Sequence, residues 1–276
     1  MRMLMQPELS TWDPKPTFNT EEKCRYYHNE LMQILHMLAN HPSFVMLALG
    51  NGLRAEADGH AFMAELLKKA RAFDSTRLYA NGSNTHFGFN GHDKNSDFYT
   101  AMTHIDQDLR ATSGDMQGWL NQKYPDFRTD YDKPMRALRR KTKQPVFSFE
   151  VGQYEVLPDF DELPEYKVVT VPANLRTFRQ RVIDRGFMPR WKASVEASGE
   201  LSLLCYRAEV EAALRTKGFS GISLLGLQDF PGQGTALIGM MNAHLHPKPF
   251  VLRSRSASGP SSGRHCRWCC CPAARG

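Results

Sequence analysis

Glu150 closes an apolar, partly aromatic run of strand length, Pro145-Val146-Phe147-Ser148-Phe149-Glu150. Active sites of barrels and open α/β sheets are built at the carboxyl ends of strands. A carboxylate there can attack, or give and take protons. The plain alternative is a strand-end carboxylate held by a neighbouring base. A second strand end is Gly50-Asn51-Gly52, a backbone turn that follows the continuous apolar run Val45 to Leu49. Glu8, Asn81, His86 and Tyr154 stand at or just after further expected strand ends. His244 and His246 read as surface residues. No His, Cys and Asp cluster in the body has metal-ligand spacing, so neither metal nor cofactor is expected.

Helices must separate these strand ends. Thr20 reads as an N-cap, with Glu21 and Glu22 in the first turn, where acids favour the helix dipole. Tyr26, Tyr27, Leu31, Ile34, Leu35 and Leu38 follow at helical spacing, and Pro42 stops the helix. A second helix covers about 58–73, with Phe62, Leu66, Leu67 and Ala70 on one face. A short strand at Met3 to Met5 leads to Glu8, and another at Arg77 to Ala80 leads to Asn81. Between 87 and 130 the spacing gives one strand, Ile105 to Ala111, set in a long loop. Helices are expected over 133–143, 173–185 and 200–217, and a last strand at Gly221 to Leu227. Strands near residues 4, 46, 79, 108, 148 and 224 alternate with helices, which implies parallel βα units. There are six such units, and a closed barrel needs eight.

Composition narrows the class. A hydrophobic fraction of 41% with 23% charged residues is that of an ordinary globular protein. No run of about 18 apolar residues implies a membrane span, and the first residues lack a secretion signal, so a cytoplasmic location is expected. The net charge is +6, but residues 252–276 hold Arg253, Arg255, Arg264, Arg267 and Arg275 and no acid. Without them the body carries about +1 and has no electrostatic reason to bind nucleic acid. Cys24 and Cys205 read as free thiols packed in helices.

Three stretches together resemble the catalytic domain of family 2 glycoside hydrolases, the β-galactosidase and β-glucuronidase family. They are the Asn51 turn, Phe147-Ser148-Phe149-Glu150-Val151-Gly152-Gln153-Tyr154, and Leu224-Leu225-Gly226-Leu227-Gln228-Asp229-Phe230. The resemblance implies an incomplete (β/α)8 TIM barrel over residues 1–251, holding strands three to eight. It implies a β-linked glycoside as substrate and hydrolysis with retention. In such enzymes two carboxylates about 5–5.5 Å apart share the work, one as nucleophile and one as acid and base. By the resemblance Glu150 is the nucleophile, and Asn51, otherwise a turn former, binds the sugar 2-hydroxyl. The family's acid/base glutamate follows its asparagine, and here that place holds Gly52. Glu56 lies four residues on, in the loop or first turn beyond the strand, a shift that misplaces a carboxylate and makes it a poor substitute. Glu8, Asn81, His86 and Tyr154 are expected to contact sugar hydroxyls, and Tyr154 or Trp119 to stack on a sugar face, with loop bonding or packing as the alternative for each. A weak or inactive glycosidase is therefore expected, or else a carbohydrate-binding remnant.

Residues 252–276 break from the periodic body. They read as a disordered tail rich in Arg, Ser and Cys. His265, Cys266, Cys269, Cys270 and Cys271 form one crowded cluster, whereas structural zinc sites use two separated pairs. Translation out of the original frame accounts for both the composition and the abrupt change.

Overall fold

Parallel pairing runs in chain order through this protein. The computed structural model describes residues 4–12, 17–53, 55–83, 93–104, 107–112, 118–167, 171–230 and 237–251. His86 and the tail after 251 lie outside the described residues. Helix α1 spans Glu21–Leu38, and the Thr20 side chain accepts the Lys23 N–H as its cap. Strand β1 is Met46–Ala48, buried throughout. Helix α2, Ala57–Phe73, turns Met63, Leu66, Leu67 and Ala70 inward. These residues pack with Leu31 and Leu35 of α1 and Leu47 of β1 in one core. Each fully buried Leu contributes about 1.5–3 kcal/mol, far more than any helix propensity, so packing sets where both helices lie.

Strand β2, Leu78–Ala80, pairs parallel to β1, with Leu47 opposite Tyr79. On the other side of β1, Met5 bridges Phe44 and Glu8 bridges Ala48, both parallel. The expected first strand is thus reduced to two isolated bridges. Strand β3 is Tyr99–Ala101, followed by a hairpin of β4, Thr103–His104, and β5, Gln107–Asp108. This corrects the strand expected at Ile105 to Ala111. The parallel strand lies earlier, and Tyr99-Thr100-Ala101 is buried on both faces, so it shows no alternation to mark it.

Helix α3, Asp132–Arg139, buries Met135 and Leu138 against Tyr99 and Val146. Strand β6, Val146–Val151, pairs parallel with β3 and with β7, Gly221–Leu224. Helix α4 is Ala173–Asp184, and α5 is Met188–Arg215, starting twelve residues before its expected position at 200. Gly199 lies within this helix. It is a contact point, since a Cβ there would sit 2.2 Å from the Phe250 ring. The result is a mixed α/β fold with small parallel sheets. No helix among the described residues is long and apolar enough to cross a membrane.

Among the described residues two strand edges are unpaired. Among the described residues β7 pairs only with β6, and the 4–8 segment only with the β1 side. Leu4 is 74% and Met5 55% exposed, and Phe230, near the other edge, 61%. Unpaired edges beside apolar side chains template association. The isolated chain is therefore expected to self-associate in light scattering. A monodisperse monomer with one cooperative thermal transition would contradict this.

Candidate active site

The end of β6 is bent. Its register with β7 shifts between Ser148 and Val151, and Glu150 adopts φ +54, the left-handed region. A non-glycine residue there costs about 1–2 kcal/mol. Bulges of this kind re-aim a side chain at a sheet's end. Gly152 follows with φ +94, and a Cβ on it would stand 1.8 Å from the Tyr206 ring, so only glycine lets the turn close.

Arg110 holds this bend from within. It is 1% exposed. Its Nη1 donates to the carbonyls of Phe149 (3.4 Å) and Glu150 (2.8 Å), and its Nη2 donates to Gln153 Oε1 (3.2 Å). Nη1 also lies 3.7 Å from Glu150 Oε2. Burial pulls the Arg110 guanidinium below its usual range, and the charges of Glu150 and Glu209 oppose that.

Asn51 reaches Glu150 from the neighbouring sheet. Its Nδ2 donates to Glu150 Oε1 at 3.2 Å, joining residues 99 positions apart. Asn51 Oδ1 is buried and has no hydrogen-bond partner among the described residues, which leaves an acceptor beside the carboxylate. Gly52 is buried beside it, with φ +62 and its N–H donated to the Ser83 carbonyl at 3.0 Å. No side chain enters the site from position 52.

Glu8 faces the same place. Burial pushes its carboxyl above the ordinary carboxylate range; a hydrogen bond to Ser83 offsets this in part, and the charge of Glu150 adds to it. Gln6 Nε2 donates to the same Ser83 hydroxyl at 2.9 Å. Asn51, Glu8 and Glu150 thus gather at one end of the sheets, next to Gly52.

The other expected contacts point elsewhere. Asn81 is 1% exposed and its Nδ2 donates to Asp93 Oδ1 at 2.7 Å, so its amide is turned toward Asp93. The Tyr154 hydroxyl donates to Glu209 Oε2 at 2.7 Å, and its ring packs edge-on against Tyr206, so it is turned into the interior. Trp119 Nε1 donates to the Tyr131 hydroxyl, and the ring packs beside the cluster of Tyr131, Ala212 and Ala213. Glu56 is exposed at the N-cap of α2. His246 is exposed, and His244 half-buried against Tyr166. Among the described residues no group of His, Cys, Asp and Glu side chains could hold a metal.

Sequence reasoning missed Arg110 and Glu209. Each had a signal. Arg110 sits between Leu109 and Ala111, and Glu209 lies among Ala208, Val210, Ala212 and Ala213. A charge inside an apolar stripe must find partners, and here both charges meet at the Glu150 turn.

No protein-family profile matches the chain, and no curated protein sequence does. Solved structures do resemble it. A β-glucuronidase from Bacteroides uniformis superposes with a TM-score of 0.54 at 14% identity, over 92% of this chain and 28% of that one. B. uniformis β-glucuronidase 2, covalently bound to cyclophellitol-6-carboxylate aziridine, gives 0.51 at 16%, over 94% and 29%. A β-glucuronidase from an uncultured Clostridium species gives 0.50 at 16%, over 86% and 37%. This chain therefore spans well under half the length of the structures it resembles, and at these identities the likeness is one of fold.

Proposed function

We propose that residues 1–251 are part of the catalytic (β/α)8 barrel of a retaining β-glycosidase of the family 2 type, holding strands three to eight, and that 252–276 form a separate tail. The substrate class is a β-linked glycoside. Glu150 attacks the anomeric carbon, and Asn51 binds the 2-hydroxyl. Gly52 stands where the acid/base carboxylate is missing, so hydrolysis of ordinary glycosides is weak. Glu8 borders the sugar. The observation that carries this reading is the 3.2 Å hydrogen bond from Asn51 to Glu150. It joins two strand ends far apart in sequence and leaves Asn51 Oδ1 free to accept from a hydroxyl. The fold likeness to β-glucuronidases supports the same reading.

A second reading is a carbohydrate-binding remnant without chemistry, favoured by the bare Gly52 position. A sugar titration run beside a hydrolysis assay separates the two. The proposed function expects saturable binding together with release of about one aryl group per chain from an activated aryl β-glycoside, as the glycosyl-enzyme forms. Binding with no aryl release in folded protein would leave only the remnant, and neither binding nor release would remove both.

A further inference from the structure

Glu209 lies in α5 and is 1% exposed. A carboxylate that far from water is costly unless donors surround it. Three do. The Ala111 N–H donates to Oε1 at 2.7 Å, the Gly152 N–H to Oε2 at 3.2 Å, and the Tyr154 hydroxyl to Oε2 at 2.7 Å. Burial still raises its carboxyl above the ordinary range, against the pull of these donors and of Arg110.

The donors are not scattered. Ala111 is the residue after Arg110, and Gly152 lies two residues after Glu150. The same two segments are joined a second time by Arg110, through the Glu150 carbonyl and Gln153. The turn they hold is the strained one, with φ +54 at Glu150 and φ +94 at Gly152. Strained backbone persists only where its surroundings over-determine it. Two opposite buried charges, Arg110 in the bend after β5 and Glu209 in α5, supply that constraint.

We infer that Glu209 is a positioning residue, whose carboxylate clamps Ala111 and Gly152 and so fixes the turn that aims Glu150 at Asn51. The inference rests on the reading of Glu150 as the reacting carboxylate. It assigns Glu209 no contact with substrate.

The test is Glu209→Gln, which keeps the shape but places an NH2 where one of the donors now finds an oxygen. Two readouts are taken on the full chain. The first is covalent labelling of Glu150 by an activated 2-deoxy-2-fluoro aryl β-glycoside. The limiting labelling rate should fall about 10- to 100-fold, because small misplacements of a reacting group carry penalties of that size. The half-saturating concentration should stay within about twofold, since ground-state binding does not pass through this clamp. The second is amide hydrogen exchange, which should quicken at Ala111 and Gly152. If Glu209→Gln does not fold, Tyr154→Phe removes one donor only and should slow labelling by about fivefold, the worth of one hydrogen bond.

Unchanged labelling in a folded variant would overturn the inference. If the parent chain is never labelled on Glu150, the glycosidase reading fails. Exchange then decides the clamp alone: faster exchange at Ala111 and Gly152 in the variant supports it, and unchanged exchange overturns it.

Discussion

Azide is expected to accelerate turnover of an activated aryl β-glycoside and to yield a β-glycosyl azide, and Gly52→Glu is expected to raise hydrolysis about 10²- to 10⁴-fold, the usual worth of a placed acid/base group. An activated leaving group departs without a proton, so Glu150 can form the glycosyl-enzyme unaided. Water then has no base beside Gly52, and the intermediate waits. Azide needs no base. It attacks the anomeric carbon, the bond to Glu150 breaks, and the carboxylate is released. Azide would enter where a side chain at position 52 would otherwise stand. A glutamate at 52 must accept φ +62, at a cost of about 1–2 kcal/mol in stability. Glu150 already bears the same kind of strain at φ +54. No response to azide and no gain in a folded Gly52→Glu protein would show that position 52 is not the acid/base place.

Glu150→Gly should bring glycosidase activity to background while leaving stability within about 2 kcal/mol of the parent. Two effects oppose each other. Glycine relieves about 1–2 kcal/mol of left-handed strain. It also removes an ion pair at 3.7 Å from buried Arg110, whose charge Glu209 still offsets, and the 3.2 Å hydrogen bond from Asn51, together about 1–3 kcal/mol. Arg110 keeps its bonds to two backbone carbonyls and Gln153. Thermal unfolding beside an activity assay checks both halves. A carboxylate kept only for structure would show the reverse, a clear loss of stability on replacement.

The elements that carry the proposed site were legible where their patterns were strong. Val45 to Leu49 and Pro145 to Glu150 are continuous apolar runs with chemistry-bearing residues at or just beyond their ends, and both became buried parallel strands. Leu31, Leu35, Leu66 and Leu67 announced the two helices by spacing and fill one core. Strand β3 was not legible, because three residues buried on both faces carry no period. The first turns of α5, from Met188, were not expected, and Gly199 within the helix makes a close approach to Phe250. Tyr154 and Asn81 were placed correctly along the chain, but sequence does not say which way a side chain turns. One faces Glu209 and the other Asp93. Arg110 and Glu209 were missed for a related reason. Their partners are backbone groups and side chains brought close only by the fold, 39 to 98 positions away.

The measurement that bears most directly on the central claim is mass spectrometry of the chain after incubation with activated 2-deoxy-2-fluoro aryl β-glycosides of gluco, galacto and glucurono configuration. Fluorine slows both steps and the activated leaving group restores the first, so a glycosyl-enzyme accumulates. The account predicts one sugar adduct on the peptide carrying Glu150 with at least one configuration, absent in Glu150→Gly. A folded sample that takes no adduct from any of the three, or takes it on another carboxylate such as Glu8, would contradict it.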